Sequence, residues 1–223
     1  MDYNKKERRS GVAIFIKPLS VCRSASQIAK IFIADGEKFI TGLQIAYAQD
    51  MIYALGKNTP VNLYVPKPAD GVDSSAKYAH IRAEEVITTD GGNTAIDVKL
   101  AFTHSFKNNS IVALTCADFP VLSLDTFMKI REELSRNDCV IESTSTGDIS
   151  IIAFNRITFT DCFEEVEWGT DKTASQVLSA LKYKRVYKLR PINEIASSDD
   201  LLKLSQSRGC PMMIREYLKS WSF

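Results

Sequence analysis

A chain of 223 residues, 45% of them apolar and 9% aromatic, is long enough to bury one sizeable core and is most simply a single α/β domain. Its 28 Lys and Arg against 27 Asp and Glu leave a net charge of +1, which provides no broad basic field and disfavours nucleic acid as the main partner. No apolar run reaches the ~20 residues that cross a bilayer, and the polar start Met1-Asp2-Tyr3-Asn4-Lys5-Lys6 lacks a signal-peptide core, so no membrane span and a cytoplasmic location are expected.

Residues 1–10, with Lys5, Lys6, Arg8 and Arg9, read as a flexible basic tail ahead of the fold. Gly11-Val12-Ala13-Ile14-Phe15-Ile16-Lys17-Pro18 is a β-branched run closed by proline, the first buried strand. Ser24 can cap the helix that follows. Apolar residues recur at helical spacing from Ala25 to about Leu55, with a break at Ala34-Asp35-Gly36. Val61 to Val65 is the second strand, residues 66–75 are loop, and Lys77 to Val86 reads as helical. Asp90-Gly91-Gly92-Asn93 is a turn before an amphipathic helix through Ala95 and Phe106.

The central strand, Ile111 to Thr115, runs into Cys116-Ala117-Asp118-Phe119-Pro120. A carboxylate just past the C-terminal end of a buried parallel strand sits where open α/β sheets bind ligands. Pro120 cannot donate a ladder hydrogen bond, so the strand stops there. The competing reading is that Asp118 opens a turn before the helix from Leu124 to Ser135, for which Ser123 is the expected N-cap.

Two strands follow, Asp138 to Glu142 and Ser150 to Phe154, around a Ser/Thr/Gly turn. Then come a helix from Thr173 to Leu181, a strand from Arg185 to Leu189, and a polar helix start at Ser197-Ser198-Asp199-Asp200. Alternating strands and helices predict a mostly parallel sheet with helices on both faces. The predicted domain spans residues 11–206, with 207–223 as an extension. Its apolar stripe, Met212, Met213, Ile214, Tyr217, Leu218, Trp221 and Phe223, suits either docking on its own domain or a homodimer contact. The five cysteines show no C-x-x-C pair and His80 and His104 cannot assemble a multi-histidine metal site; buried, reduced thiols are expected.

Three segments carry a resemblance: Phe15-Ile16-Lys17-Pro18; Cys116-Ala117-Asp118-Phe119-Pro120-Val121-Leu122; and Phe163-Glu164-Glu165-Val166-Glu167-Trp168-Gly169-Thr170-Asp171-Lys172-Thr173. From about Val12 to Leu204 the chain resembles a bacterial and archaeal family of the glycosyltransferase-A (GT-A, nucleotide-diphospho-sugar transferase) superfamily, whose relatives include the guanylyltransferase that activates phospholactate. The third segment is the closest match. The resemblance implies a three-layer Rossmann-like GT-A fold holding a nucleotide or nucleotide-sugar at the ends of its first strands. It implies Mg2+ or Mn2+ at Asp118, phosphates near Lys17 and Arg23, and further nucleotide contacts at Gly92, Asn93 and Trp168. Asp148 or Glu194 would serve as second ligand or general base for a small, phosphorylated acceptor. Hard oxygen ligands suit either ion.

Four places depart from that pattern. A Gly-x-x-Lys-Thr-Arg loop becomes Ser20-Val21-Cys22-Arg23-Ser24-Ala25, which leaves Arg23 and Lys17 as the nearby cations. Asp97 stands where an arginine is expected, and would repel a phosphate. The acid of an Asp-Gly-Gly-Tyr segment is shifted to Asp148, and such a shift need not restore its direction. An Asp-x-Asp becomes Glu194-Ile195-Ala196. The alternative function is therefore a catalytically silent GT-A-fold member that binds a ligand or protein. For Trp168 the competing role is packing a loop on the core, and for Thr170 or Thr173 a helix N-cap.

Overall fold

Short β-branched and aromatic runs closed by turn residues become strands, because their side chains fill both faces of a pleated sheet. The computed structural model describes residues 9–17, 28–30, 35–67, 78, 80–117, 122–195 and 197–221. In it the strands are β1 (Ser10–Phe15), β2 (Val61–Pro66), β3 (Glu85–Thr89), β4 (Ile111–Cys116), β5 (Cys139–Ser143), β6 (Ile149–Asn155) and β7 (Val186–Lys188). They form one sheet in the order β3-β2-β1-β4-β6-β5-β7. Strand β6 is antiparallel to β4 and β5, while the other pairings are parallel.

The helices are α1 (Gly36–Leu55), α2 (Thr94–Ser105), α3 (Leu124–Glu133), α4 (Thr173–Ala180), α5 (Ser198–Gln206) and α6 (Met212–Ser220). Successive residues of β1 go to opposite faces. Val12 and Ile14 pack with Phe39 and Leu43 of α1, Phe127 of α3, Leu201 of α5 and Ile214 of α6. Ala13 and Phe15 pack with Val98 and Phe102 of α2 and Val177 of α4. On that second face the rings of Phe102 and Phe163 stack at 5.7 Å, with Phe154 edge-on to Phe102 at 5.4 Å. The sheet is thus the middle of three layers, as predicted.

Helix starts follow local chemistry. Ser123 Oγ accepts the Thr126 N–H at 3.1 Å, the cap expected from sequence. Ser197 and Asp200 form a capping box at the start of α5. One element differs. The helix expected over Lys77 to Val86 is replaced by irregular chain from Ile81 to Glu84, and its last two residues open strand β3, which pairs with β2 from Asn62↔Glu85 to Pro66↔Thr89. Its Val-Ile-Thr-Thr run favours a strand, and at the sheet edge its half-polar pattern mimics an amphipathic helix.

The chain enters the fold at Arg9, whose carbonyl accepts from Ser110 N at 2.8 Å and whose side chain pairs with Glu84. At the other end the apolar stripe of α6 turns onto its own domain. Ile214 and Leu218 are buried, Trp221 meets Phe39 edge-on at 5.1 Å, and the Tyr217 hydroxyl donates to Phe39 O at 2.9 Å. Pro211 precedes α6 and offers no cap, so Asp50 of α1 supplies one, accepting from Met213 N at 3.1 Å and Ile214 N at 2.9 Å. Replacing Asp50→Ala should cost about 1–2 kcal/mol and lower Tm by roughly 2–8 °C in a thermal melt; an unchanged Tm would show that α6 docks without this cap.

Candidate functional site

Strand β1 has β2 on one side and β4 on the other, so the chain reverses its winding direction between β1 and β4. Ligands of open α/β sheets bind outside the carboxyl ends of strands at such a switch point. Strands β1 and β4 end together at Phe15↔Cys116, and Ala117 N donates to Phe15 O at 3.1 Å. Because β6 runs the other way beside β4, it begins at this same edge. Lys17 beyond β1, Asp148 before β6 and the end of β4 are therefore brought together. Asp118 and Arg23 lie outside the described residues.

Lys17 Nζ donates to Asp148 Oδ2 at 2.9 Å, with the two side chains 1% and 11% exposed. Asp148 Oδ1 accepts from Ile149 N at 2.8 Å, and the Lys17 carbonyl accepts from Gln44 Nε2 of α1 at 3.3 Å. An ammonium this enclosed needs its carboxylate, since removing one partner of a buried pair typically costs about 3–5 kcal/mol. The acid shifted in sequence to Asp148 thus faces Lys17.

The turn before Asp148 is tied to Glu194. Asp148 N donates to Thr144 Oγ1 at 3.0 Å, the Thr144 and Thr146 hydroxyls are 3.0 Å apart, and Thr146 Oγ1 donates to Glu194 Oε1 at 2.5 Å. Since a carboxylate accepts, Thr146 donates to Glu194 and Thr144 in turn donates to Thr146. A parallel bridge, Thr144↔Ile192, brings the Glu194 segment alongside. Gly147 has φ +97, and a Cβ there would run into the Asp171 carbonyl. Its own carbonyl accepts the Ala174 N–H at 2.9 Å, docking the start of α4 against the turn. Gly147→Ala combines left-handed strain with this collision and should lower stability by at least ~1–3 kcal/mol; a chemical denaturation midpoint equal to the parent's would contradict it.

The loop that docks there carries Trp168. Its ring packs on Phe163 at 6.0 Å, and its indole N–H is buried without a partner among the described residues. Thr173 Oγ1 donates to Glu167 O at 2.8 Å and Thr170 Oγ1 donates to the same carbonyl at 2.8 Å. Neither threonine caps α4, whose N-cap position is Lys172; they close the loop instead. Lys172 pairs with Glu167 at 3.2 Å, both side chains being exposed.

Gly92 and Asn93 lie beyond β3, two strands away from β1. Asn93 Oδ1 accepts from Ala95 N at 3.0 Å and Ile96 N at 3.3 Å, so this side chain caps α2, while Gly92 is exposed. Asp97, expected to repel a phosphate, is instead 2% exposed and turned inward, accepting from Gly91 N at 3.0 Å. Burial raises its carboxyl pKa, and bonds from Thr89 and Gly91 oppose the rise. It holds the turn that an arginine there could not.

Glu142 was not singled out by sequence. A register shift at Glu142/Ser143 makes Ser150 an extra residue on β6, and its hydroxyl turns to Glu142 Oε2 at 2.8 Å. Burial raises the Glu142 carboxyl above its ordinary 4.5. A raised folded-state pKa means stability that is full below the unfolded value and lost as pH rises through the folded one. Glu142→Gln, which mimics the protonated form, should therefore melt higher than the parent at pH 7, with the gap closing below pH 4.5. A lower Tm at pH 7 with a pH-independent gap would overturn this.

Among the described residues no three His, Cys, Asp or Glu converge as a metal donor set. The acids near this edge are engaged by protein donors: Asp148 by Lys17 and Ile149, Glu194 by Thr146, Asp97 by Gly91. The described residues do not by themselves fit a divalent ion. Nor is any helix among them long and apolar enough to cross a membrane.

No protein-family model and no curated sequence matches the chain. Solved structures do. A candidate nucleotide-diphospho-sugar transferase from Desulfovibrio desulfuricans G20 superposes with TM-score 0.78 at 18% identity over 96% of both chains. The 4-diphosphocytidyl-2C-methyl-D-erythritol synthase of Anaerococcus prevotii gives 0.58 at 12% identity, over 96% of this chain and 97% of that one. A Mycobacterium tuberculosis protein crystallised with manganese gives 0.53 at 12%, over 87% and 97%. These likenesses establish the fold: a nucleotide-diphospho-sugar transferase-like, Rossmann-type α/β sheet.

Proposed function

We propose that this chain is a nucleotide-dependent transferase of the cytoplasm, moving a glycosyl or nucleotidyl group from a nucleotide or nucleotide-sugar to a small, phosphorylated acceptor. The observation that carries this reading is the enclosed Lys17–Asp148 pair at the switch point between β1 and β4. The pair is net neutral, but its dipole is fixed in a water-poor place, where its field acts on a nearby phosphate more strongly than it would in bulk solvent. In this reading Lys17 supplies that field, Asp148 orients it, and Arg23 meets the phosphates. Trp168, whose buried indole N–H has no partner among the described residues, is proposed for the nucleoside side, with Gly92 as a backbone contact, while Asn93 serves that side only through the helix start it caps.

Transfer requires the acceptor oxygen to lose its proton as it attacks. Glu194 is proposed as the base: it is half-buried, its Oε1 is held by Thr146, and its Oε2 has no hydrogen bond among the described residues. The expected Mg2+ or Mn2+ rests on Asp118, one residue past the fully buried Ala117, and is a cofactor reading supported by the manganese complex of a neighbouring fold. A second reading, a silent GT-A-fold binder, is favoured by Asp97, whose buried carboxyl occupies the expected arginine's place. A fold by itself does not confer activity.

A thermal-shift screen with GTP, CTP and UDP-sugars, with and without magnesium, separates the two. A nucleotide at 100 times its Kd stabilises by about 2.7 kcal/mol, or roughly 5–11 °C in Tm, and Asp118→Asn should reduce the magnesium-dependent part. No shift with any nucleotide would favour the silent binder.

A further inference from the structure

We propose that Lys17 is the resident cation of this site: its ammonium occupies Asp148, so that Asp148 binds no divalent metal while Lys17 is in place. The inference rests on the function proposed above only for placing the site at this edge. The contact itself is independent of any nucleotide.

Oδ2 of Asp148 receives Lys17 Nζ at 2.9 Å and Oδ1 receives Ile149 N at 2.8 Å, so each oxygen already has a donor. A divalent ion on the same carboxylate would sit against the ammonium, and like charges that close repel strongly away from water. The ammonium cannot easily swing aside. Its side chain is 1% exposed, Ile16 beside it is buried, and the Lys17 carbonyl is pinned by Gln44 of α1. The turn bearing Asp148 is fixed as well, through Thr144 and through the close approach of Gly147 to the α4 loop.

The other acids near this edge complete no metal donor set with it: Asp97 is turned inward onto Gly91, and Glu194, with one oxygen held by Thr146, is not joined by two further His, Cys, Asp or Glu among the described residues. A covalently tethered ammonium thus does permanently at Asp148 what a bound ion does reversibly: it neutralises the carboxylate and fixes its direction. The consequence is that any magnesium or manganese used here is held by groups other than Asp148, Asp118 and the phosphates of the nucleotide being the ones proposed above.

The test uses Mn2+ alone, without nucleotide. Free Mn2+ is titrated by electron paramagnetic resonance, alongside thermal melts, for the parent, Asp148→Asn, Lys17→Met and the paired replacement Lys17→Met/Asp148→Asn, which removes both charges and so remains foldable. The parent and Asp148→Asn should show the same Mn2+ affinity. Lys17→Met exposes an unpaired carboxylate and should gain at least ~10-fold in affinity, with a Tm that rises on adding Mn2+; the paired replacement should lose both gains. A threefold or greater loss of Mn2+ affinity in Asp148→Asn would overturn the proposal, as would a folded Lys17→Met with no gain. If Lys17→Met folds only with Mn2+, the proposal stands. If it folds under neither condition, the comparison of the parent with the paired replacement decides: equal Mn2+ affinity upholds the proposal and a threefold or greater loss overturns it. Failure of the nucleotide screen would leave every one of these outcomes unchanged.

Discussion

An ammonium and a carboxylate 131 residues apart in sequence meet in a nearly dry pocket at the end of the sheet, and much of the surrounding structure is arranged to keep them there. The pair is costly to bury and more costly to break. Its acid is supplied by a turn whose shape depends on Thr144 bonding back to the Asp148 backbone and on Gly147 having no side chain. That same absence admits the Asp171 carbonyl, so the loop carrying Trp168 and the start of α4 are positioned by the turn that aims Asp148.

Helix α1 connects this edge to the rest of the molecule. Gln44 holds the Lys17 carbonyl, Phe39 receives Trp221 and Tyr217, and Asp50 caps α6. These residues are spaced along one helix, so the C-terminal segment and the switch point share a rigid support. The apolar stripe of α6 that would suit a second copy is covered by α1, which leaves Met212 and Met213 as its exposed members among the described residues.

Strands β1, β4, β5 and β6 were legible because they are buried on both faces and therefore read as near-continuous apolar runs. Helices α3 and α5 were legible from their polar starts, Ser123 and Ser197 to Asp200, and α2 from the turn before it and its apolar spacing. Strand β3 was not, because an edge strand with one polar face carries a pattern that a short amphipathic helix also shows. Of the candidate site residues, Lys17 and Asp148 meet directly and Glu194 joins them through two threonines. Asn93 is spent capping α2, and the inward turn of Asp97 reflects a nearby N–H donor that spacing does not reveal. Glu142 escaped notice because its burial depends on a bulge that shifts Ser150 beneath it.

By itself the sequence determined most of the strands and helices, β3 excepted, and that several polar residues stand where apolar strands stop, since both follow from the local pattern of side chains. Only the tertiary structure decided that β6 lies antiparallel between β4 and β5, and this is what carries Asp148 to Lys17. The physical reason is that strand order is chosen by long-range pairing and by the packing of both faces at once. A residue's neighbours in sequence record that it sits at an edge; they do not record which distant charge the edge will bring to it.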